Sequence, residues 1–350
     1  VYERVVPYFL DKILVKINEG QNVLVVAHGN SLRALIKYLE NISDDDIVYT
    51  EMPFGVVILY DLDEKGHMLS KEVRESNRAK DKNTKNERPQ IIASIGPASI
   101  KHAVLKAMIN NGMDVVRLNF SWGDLNTRMD TISIVRKMEQ EIGIHIPFII
   151  DLPGPRVQAK TGHTYDHDLT SAITEHDKEF IKFGIEHGVN YFAVSFVGTA
   201  ADILECKKII EHLGGKQKVI AKIERQIALD NLDSIVEVAD AVMVARGDLG
   251  NEVPLEQIPF IQENIIKVAK IYNKPAIVAT QMLFSMVEHN EPTRAEVTDV
   301  DTAILQGADV VMLSDETTIG KYPIEAVAIM DKIITEASKH MSPDVKLNLL

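Results

Sequence analysis

The stretch VIAKIERQIALDNLDSIVEVADAVMVARGDLG, residues Val219 to Gly250, contains one complete repeating unit of an α/β fold. Its two ends, VIAKIE and AVMVARG, are apolar runs of strand length. Between them, apolar side chains recur at roughly helical spacing, at Leu229, Leu232, Ile235, Val236 and Val238. The stretch therefore predicts a β-α-β unit, whose two strands run parallel.

Three charged residues lie at the carboxyl ends of the two strands of this unit. Lys222 and Glu224 are two residues apart and share one face of the first strand, and Asp248 follows the second. The carboxyl ends of neighbouring parallel strands are where open sheets and barrels carry their chemistry. Glu224 and Asp248 could hold a divalent cation such as Mg²⁺ beside Lys222. A structural ion pair between Lys222 and Glu224 explains the spacing equally well.

Apolar strands alternate with amphipathic helical segments from Gln90 onward. Near-continuous apolar strands separated by helices are typical of a parallel sheet, and eight such units over about 250 residues predict a (β/α)8 barrel. A doubly wound open sheet is the alternative. The predicted strands are QIIASIG (90–96), DVVRLNF (114–120), IPFIIDLP (146–153), YFAVSFV (191–197), KVIAKIE (218–224), AVMVARG (241–247), PAIVATQM (275–282) and DVVMLSD (309–315).

Polar residues gather at the carboxyl ends of these strands, which favours the barrel. A random distribution of polar residues would not keep to one rim. The strand-end residues are Arg117, Asn119, Ser121, Asp151, Lys222, Glu224, Thr280, Gln281, Ser314 and Glu316.

The composition limits the kinds of partner. The 350 residues are 45% hydrophobic and carry a net charge of −13, which argues against a nucleic-acid or acidic-membrane partner. The single cysteine, Cys206, excludes a disulfide framework and fits a reducing compartment, so we expect a cytoplasmic protein. The sequence has no apolar run long enough to span a membrane and does not start with a signal-peptide pattern.

The chain divides into four segments. Residues 1–73 predict a small α/β piece of helix, strand (NVLVVAH), helix and strand (GVVILYDLD). Residues 74–88 belong to a polar stretch from Lys71 onward that predicts a solvated linker. The barrel is expected over residues 89–341, followed by a tail, 342–350.

The barrel segment resembles pyruvate kinase from about Arg88 to Lys332. Seven motifs occur in the order of that family: IASIGPAS from Ile92, NGMDVVRLNFSWG from Asn111, AKIE from Ala221, ARGDLG from Ala245, ATQM from Ala279, PTRAEVTDV from Pro292, and LSDET followed by GKYPIEA. The resemblance implies a glycolytic transferase that uses phosphoenolpyruvate or pyruvate, ADP or ATP, Mg²⁺ (or Mn²⁺) and K⁺. A homo-oligomer that forms through the barrel is a further partner that we consider.

The resemblance also implies roles for particular residues. Glu224 and Asp248 would bind Mg²⁺, and Lys222 would stabilise the phosphoryl group in transfer, with Arg117 facing it. Thr280 would lie beside the substrate, whose carboxylate would meet the backbone of Gly247 and Asp248. The remaining assignments are a potassium site of Asn119, Ser121, Asp151 and the carbonyl of Leu152, and a proton relay through Ser314 and Glu316.

This chain departs from the family pattern mainly on the nucleotide side. The family inserts a lid domain of about a hundred residues after the third strand, where this chain has only Val157 to Leu169. Gln158 replaces an arginine, Trp122 a histidine, Gly198 an arginine and Asp315 a glycine. The family's C-terminal regulatory domain is also expected to be missing. Loss of a lid and of a phosphate-binding arginine would slow phosphoryl transfer.

Residues 1–73 resemble the last third of a cofactor-dependent phosphoglycerate mutase of the histidine-phosphatase type. The matching segments are VLVVAHGNSLRALIKYLENIS and EMPFGVVILYDLD. His28 would correspond to the second, phosphate-contacting histidine of that family. The RHG motif with the phosphorylated histidine does not occur in this sequence, so an inactive relic or adaptor is favoured over an active site completed by another chain.

Three functions remain open at the level of sequence. The first is phosphoryl transfer from phosphoenolpyruvate to ADP, impaired by loss of the lid. The second is a lyase or decarboxylase that uses a metal-bound pyruvate enolate. The third is a non-catalytic binding or regulatory protein, against which the retention of Lys222, Glu224, Asp248 and Thr280 argues.

Overall fold

A computed structural model describes residues 1–27, 29–43, 47, 56–75, 88–121, 125–158, 163–165 and 171–341. The chain forms two compact units, Val1–Asn83 and Thr84–Leu350. The predicted tail, most of the predicted linker, His28 and Trp122 lie outside the described residues. No helix within the described ranges is long and apolar enough to cross a bilayer.

The first unit packs short helices and a β-hairpin around a small apolar cluster. The cluster is formed by Phe9, Leu14 and Leu39, against which Tyr60 and Leu62 of the hairpin pack. Helix α1 spans Tyr2–Tyr8 and continues through a π-helical turn, Phe9–Ile13, into α2, Leu14–Asn18; α3 spans Gly29–Leu39, and the antiparallel strands are β1, Val56–Leu62, and β2, Met68–Glu75.

Two predictions for this unit are wrong. The described part of NVLVVAH forms no strand, and Leu24 and Val26 are 78% and 85% exposed. A strand needs a neighbour to pair with, and the two strands of this unit pair with each other. Met68–Glu75 forms strand β2, whereas the sequence predicts that its last residues belong to the linker. Lys71 and Glu72 are exposed, and Lys71 forms a 2.8 Å ion pair with Glu40.

The second unit is a closed barrel of eight parallel strands, which confirms the predicted (β/α)8 architecture and makes the open-sheet alternative wrong. The strands are β3, Gln90–Ser94; β4, Val115–Asn119; β5, Phe148–Leu152; β8, Tyr191–Val194; β9, Lys218–Ile223; β10, Ala241–Ala245; β11, Ala276–Ala279; and β12, Val310–Leu313. Their order around the barrel is β10-β11-β12-β3-β4-β5-β8-β9, and the last strand pairs with the first.

Helices surround this barrel and bury their apolar faces against it. They are α4, His102–Asn110; α5, Leu125–Ile142; α6, Glu175–Glu186; α7, Ala200–His212; α8, Gln226–Asp230; α9, Leu232–Val238; α10, Arg246–Leu249; α11, Ile258–Ile271; α12, Arg294–Leu305; α13, Asp315–Thr318; and α14, Pro323–Ala337. A small hairpin of β6, Arg156–Gln158, and β7, His163–Tyr165, lies between β5 and α6, in the segment where the family lid is expected.

The barrel interior is filled by alternate residues of the strands, since side chains two apart point the same way. The apolar interior cluster consists of Ile92, Val115, Ile149, Tyr191, Ala193, Ile220, Ala241, Met243, Ile277, Ala279, Val310 and Met312. Intervening residues face the helices and belong to the large outer core. The interior is therefore a packed core that gives the strand ends a rigid base.

The amino-terminal rim of the barrel repeats one capping contact four times. Before every second strand, the residue that precedes the strand has a side-chain oxygen that accepts a backbone hydrogen bond. The donor is an N–H near the start of the previous strand, at 2.7–2.9 Å. The pairs are Asp114 with Ile91, Asn190 with Phe148, Asp240 with Val219, and Asp309 with Ala276. These contacts satisfy amides that the barrel ladder leaves open.

Candidate active site

The interior face of the barrel changes from apolar to polar at the carboxyl ends of its strands. Each polar residue lies two positions beyond an apolar interior residue and so shares its direction. The polar residues of this layer are Ser94, Arg117, Asp151, Ser195 and Lys222, and all are buried. The structure therefore brings together, on one face, residues from five different strands or strand ends.

Lys222 is the centre of this layer. Its Nζ lies 3.0 Å from Oδ1 of Asp151, 2.7 Å from Oγ of Ser195 and 2.7 Å from Oε1 of Glu224. Burial alone would lower the pKa of Lys222, but the charges of Asp151 and Glu224 raise it. The amine is therefore a fixed positive charge, with a contact for each of its three donors.

Arg117 binds the other side of the Asp151 carboxylate. Its Nε and Nη2 both lie 2.8 Å from Oδ2 of Asp151, and Nη1 donates to Oγ of Ser94 at 2.7 Å. Burial would raise the pKa of Asp151, but the charges and hydrogen bonds of Lys222 and Arg117 lower it to about 2. Asp151 is thus a permanent anion shared by two cations.

Glu224 is held by the backbone of the neighbouring strand end. Its Oε2 accepts the N–H of Phe196 at 2.7 Å, and Phe196 has a φ of +57°. Its Oε1 lies close to Lys222 but makes no well-aligned hydrogen bond. Burial raises the pKa of Glu224, and the nearby charges of Asp248 and Asp151 raise it further, against the opposing effect of Lys222. The ion pair between Lys222 and Glu224, which the sequence analysis gives as the alternative to a metal site, is present.

These carboxylates have the donor chemistry for a magnesium ion. Mg²⁺ commonly takes one or two protein carboxylates and completes its shell with water and substrate oxygens. Within the described residues no group of three or more His, Cys, Asp or Glu side chains could hold a metal by itself. Glu224, whose buried Oε1 lacks an aligned donor, and half-buried Asp248 fit the smaller requirement.

The residues expected for potassium are engaged within the protein. Asn119 pairs in register with Asp151, and its Oδ1 accepts the N–H of Ser121 at 3.0 Å. The Asp151 carboxylate faces Lys222 and Arg117, and Leu152 is buried at the end of β5. Asn119 lies on β4, Asp151 and Leu152 lie on β5, and Ser121 follows the end of β4. The charge of Asp151 is already balanced by two cations.

The turn after β11 contacts the short helix α10. Thr280 and Gln281 have φ values of +71° and +53°, and the N–H of Gly247 donates to Oγ1 of Thr280 at 2.9 Å. The resemblance implies that this amide binds the substrate carboxylate. In this structure it donates to the Thr280 hydroxyl instead. Arg246 holds the same turn by donating to the carbonyl of Thr280 at 2.8 Å, and it pairs with Asp299 at 2.7 Å.

Glu316 ties together the loops after β11 and β12. Its carboxylate accepts the N–H of Leu283 at 3.0 Å and that of Ser314 at 2.8 Å. The side chain is fully buried, and this burial raises the pKa of Glu316 in spite of the two hydrogen bonds. The contact joins the Glu316 carboxylate to the backbone amide of Ser314 and not to its hydroxyl.

Two serines of this site were not identified from the sequence. Ser94 and Ser195 are fully buried and accept hydrogen bonds from Arg117 and Lys222. Both lie within predicted strands, at interior positions two residues after Ile92 and Ala193. Strand alternation could have identified them, because it placed their side chains inside the barrel beside the charged residues.

The fold and this site define a (β/α)8 barrel with an enzyme-like cluster of cations and carboxylates at the carboxyl ends of its strands. The family model described as "Pyruvate kinase, barrel domain" matches residues 86–170 and 168–327. The chain belongs to the pyruvate kinase family.

Curated relatives agree with this family. The pyruvate kinase of Thermotoga maritima is 33% identical, with 72% of this chain and 71% of that protein covered. That of Thermococcus litoralis is 36% identical (71% and 69%), and that of Mycobacterium tuberculosis H37Rv is 34% identical (71% and 69%). The alignment with the Thermotoga maritima protein is 332 residues long. This length exceeds the number of residues in the aligned 72% of this 350-residue chain. Part of that relative therefore lies opposite gaps in this chain.

Proposed function

We propose that this chain transfers the phosphoryl group of phosphoenolpyruvate to ADP, giving pyruvate and ATP. The observation that carries this proposal is the buried cluster around Lys222, in which a fixed cation is held beside Arg117, Asp151 and Glu224 in a chain of the pyruvate kinase family. Fixed charges in a water-poor site stabilise a transferring phosphoryl group without reorganising at the moment of reaction.

In this proposal the residues divide the work by position. Lys222 and Arg117 offset negative charge on the phosphoryl group. Thr280 lies beside the substrate, and its hydroxyl moves off the Gly247 amide so that Gly247 and Asp248 meet the substrate carboxylate. Ser314 and Glu316 relay the proton to the enolate, a role that the raised pKa of Glu316 supports.

Glu224 and Asp248 would hold Mg²⁺ or Mn²⁺, and Asn119, Ser121, Asp151 and the carbonyl of Leu152 would hold K⁺. When bound, the divalent ion supplies Lewis-acid stabilisation of substrate oxygens. The protein's own part is to fix the two carboxylates. The backbone amide of Phe196 holds the Glu224 carboxylate in place, and Lys222 offsets the negative charge of Glu224.

A second candidate is enolate chemistry without phosphoryl transfer, as in a lyase or decarboxylase acting on an oxo acid. The short hairpin of β6 and β7 favours it, because a hairpin of two three-residue strands stands where the family has a lid. The gaps opposite the Thermotoga maritima protein support the loss of that lid. Loss of water exclusion would reduce phosphoryl transfer more than enolate formation.

For the rest of the chain we propose simpler roles. Residues 1–73 would be an inactive phosphoglycerate mutase fragment that serves as an adaptor. The protein would act in the cytoplasm and associate through its barrels. Exposed apolar side chains on and before α11, Phe260 at 73% and Leu255 at 78%, support such an association.

The deciding experiment is pyruvate release from phosphoenolpyruvate with Mg²⁺ and K⁺, with and without ADP. Release that requires ADP and is lost in Lys222→Met supports phosphoryl transfer. Lys222→Arg, which keeps the buried charge, controls for loss of folding. Absence of release in both conditions contradicts the proposal. Exchange of pyruvate methyl protons with deuterated water, without nucleotide, would then support the enolate candidate.

A further inference from the structure

The turn after β8 holds one residue in a strained backbone conformation. Phe196 has a φ of +57°, in the left-handed region that residues other than glycine rarely adopt. In this conformation the N–H of Phe196 donates to Oε2 of Glu224 at 2.7 Å. Because a left-handed residue persists only where its surroundings hold it, the contacts of this turn determine whether the amide stays on Glu224.

Arg225 holds the other polar group of the same residue. Its Nη1 donates to the carbonyl of Phe196 at 3.2 Å. Arg225 directly follows Glu224 in the chain, after the carboxyl end of β9, and β9 pairs with β8. Two consecutive side chains therefore bind the N–H and the carbonyl of Phe196, and both hydrogen bonds cross from one strand end to the next.

The rest of the turn is fixed in a way that leaves room for this contact. Gly198 donates its N–H to Oδ2 of Asp202 at 2.9 Å, and its carbonyl accepts from Nδ2 of Asn231 at 3.2 Å. A Cβ at Gly198 would lie 3.4 Å from Nη1 of Arg225. Glycine at this position therefore leaves the space beside the turn to the Arg225 guanidinium.

The carboxylate of Glu224 depends on the Phe196 amide for its direction. Its Oε1 lies 2.7 Å from Nζ of Lys222 but has no well-aligned donor, so Oε2 makes the aligned hydrogen bond. Without Arg225, the strained turn can relax and take the N–H of Phe196 away from Oε2. Hydrogen bonds to a metal-binding carboxylate orient it toward the ion, so their loss lowers the metal affinity.

We propose that Arg225 is a positioning residue that sets the affinity of Glu224 for the divalent cation. This inference rests on the proposed function, which assigns Glu224 to Mg²⁺ or Mn²⁺, and it names a residue that acts on that site through the backbone of Phe196. Arg225 is half-buried, and the role requires its hydrogen bond to the Phe196 carbonyl but no contact with substrate.

The test measures Mn²⁺ binding to the full chain by calorimetry, without substrate or nucleotide. The binding that Glu224→Gln removes is the binding at this site. We expect Arg225→Gln to weaken it about tenfold, the lower end of the cost of losing an outer partner of a metal ligand. Arg225→Lys keeps a donor and the positive charge but not the planar fork, so it should weaken this binding only about threefold.

Arg136→Gln is the matched control. Nη2 of Arg136 donates to the carbonyl of Gly188 at 2.8 Å, close to the amino-terminal end of β8. The variant therefore removes the same charge and the same kind of hydrogen bond near the opposite end of the same strand. Its Mn²⁺ affinity should equal that of the wild type, and urea unfolding of each variant compares the losses of stability.

The outcomes separate this inference from the proposed function. Weaker Mn²⁺ binding in Arg225→Gln, partial recovery in Arg225→Lys and wild-type binding in Arg136→Gln support the assignment. Wild-type binding in Arg225→Gln overturns it, as does equal weakening in Arg225→Gln and Arg136→Gln, or a wild type without Glu224-dependent binding. If Arg225→Gln does not fold, wild-type affinity in Arg225→Lys overturns the assignment and weaker affinity supports it. Mn²⁺ affinity that depends on Arg225, without ADP-dependent pyruvate release, would contradict the proposed function only.

Discussion

The hydroxyl of Ser195 lies 2.7 Å from Nζ of Lys222 and 3.4 Å from Oδ1 of Asp151. Ser94 has the same relation to the second cation, with its hydroxyl 2.7 Å from Nη1 of Arg117. Neither serine carries charge, so each can orient a cation without reducing its field. The two hydroxyls and the Asp151 carboxylate together fix the directions of both positive charges.

The first prediction concerns Ser195 as a positioning residue. Ser195→Ala removes one of three contacts of the Lys222 amine, so we expect kcat for pyruvate release to fall about tenfold. KM for ADP should stay unchanged, because Ser195 is fully buried and its hydroxyl is bonded to Lys222. Steady-state kinetics measures both constants. Ser338→Ala, which removes a helix-end hydroxyl bonded to the carbonyl of Ile334, is the control. Equal kcat values in the two variants would contradict the positioning role.

The second prediction concerns Asp151. Asp151→Asn leaves the charges of Lys222 and Arg117 buried with too little compensation, so we expect a loss of about 3–5 kcal/mol in the free energy of unfolding. Urea denaturation at neutral pH measures it. Asp233→Asn, on the exposed face of α9, should change stability by less than about 0.5 kcal/mol. A similar small effect for Asp151→Asn would mean that the two cations do not depend on this carboxylate.

The third prediction concerns the metal site. Oxalate resembles the enolate of pyruvate, so we expect Mg²⁺ and oxalate together to raise the Tm of the wild type. Glu224→Gln and Asp248→Asn should each abolish this rise, since each removes a negative ligand. Thermal unfolding with and without EDTA gives the comparison. A rise that persists in both variants would exclude Glu224 and Asp248 as the ligands.

The fourth prediction separates the two ends of the barrel. Asp309 accepts the N–H of Ala276 and pairs with Lys270 at the amino-terminal rim, so Asp309→Ala should cost about 2–3 kcal/mol of unfolding free energy. The kcat of the folded fraction should not change, because this rim lies away from the strand carboxyl ends. Asp233→Ala controls for loss of a surface carboxylate. A change in kcat without loss of stability would be the opposite of what we expect.

The sequence was sufficient to predict the barrel, because eight apolar strands alternate with helices and carry polar residues at their carboxyl ends. This pattern is typical of a (β/α)8 barrel. It was not sufficient where a residue depends on distant partners. Residues 22–27 have strand composition but pair with no strand among the described residues, whereas the charged Met68–Glu75 forms a strand because β1 lies beside it. Ser195 has no motif of its own, and its role depends on the position of Lys222 on the next strand. The contact between Gly247 and Thr280 likewise depends on how two loops meet.

The last prediction concerns the pH dependence of the stability that Asp177 contributes. Asp177 binds the backbone of Gly154, in the segment that follows β5. Asp177 accepts the N–H of Thr174 at 2.8 Å in the capping box of α6, and also the N–H of Gly154. Burial raises the pKa of Asp177 above its ordinary value of 3.8, although these hydrogen bonds oppose the rise. The folded state therefore keeps this proton to a higher pH than the unfolded state does.

The sign of the effect follows from that proton. The stability that Asp177 contributes is fully present below about pH 4 and is lost as pH rises through the raised pKa. In Asp177→Asn, which cannot ionise, this loss is absent, so the stability difference between wild type and variant should decrease as pH increases. Urea unfolding of both proteins between pH 4 and 7 measures it, with Asp130→Asn on the exposed face of α5 as control. A difference that grows with pH would mean that the hydrogen bonds of Thr174 and Gly154 outweigh burial.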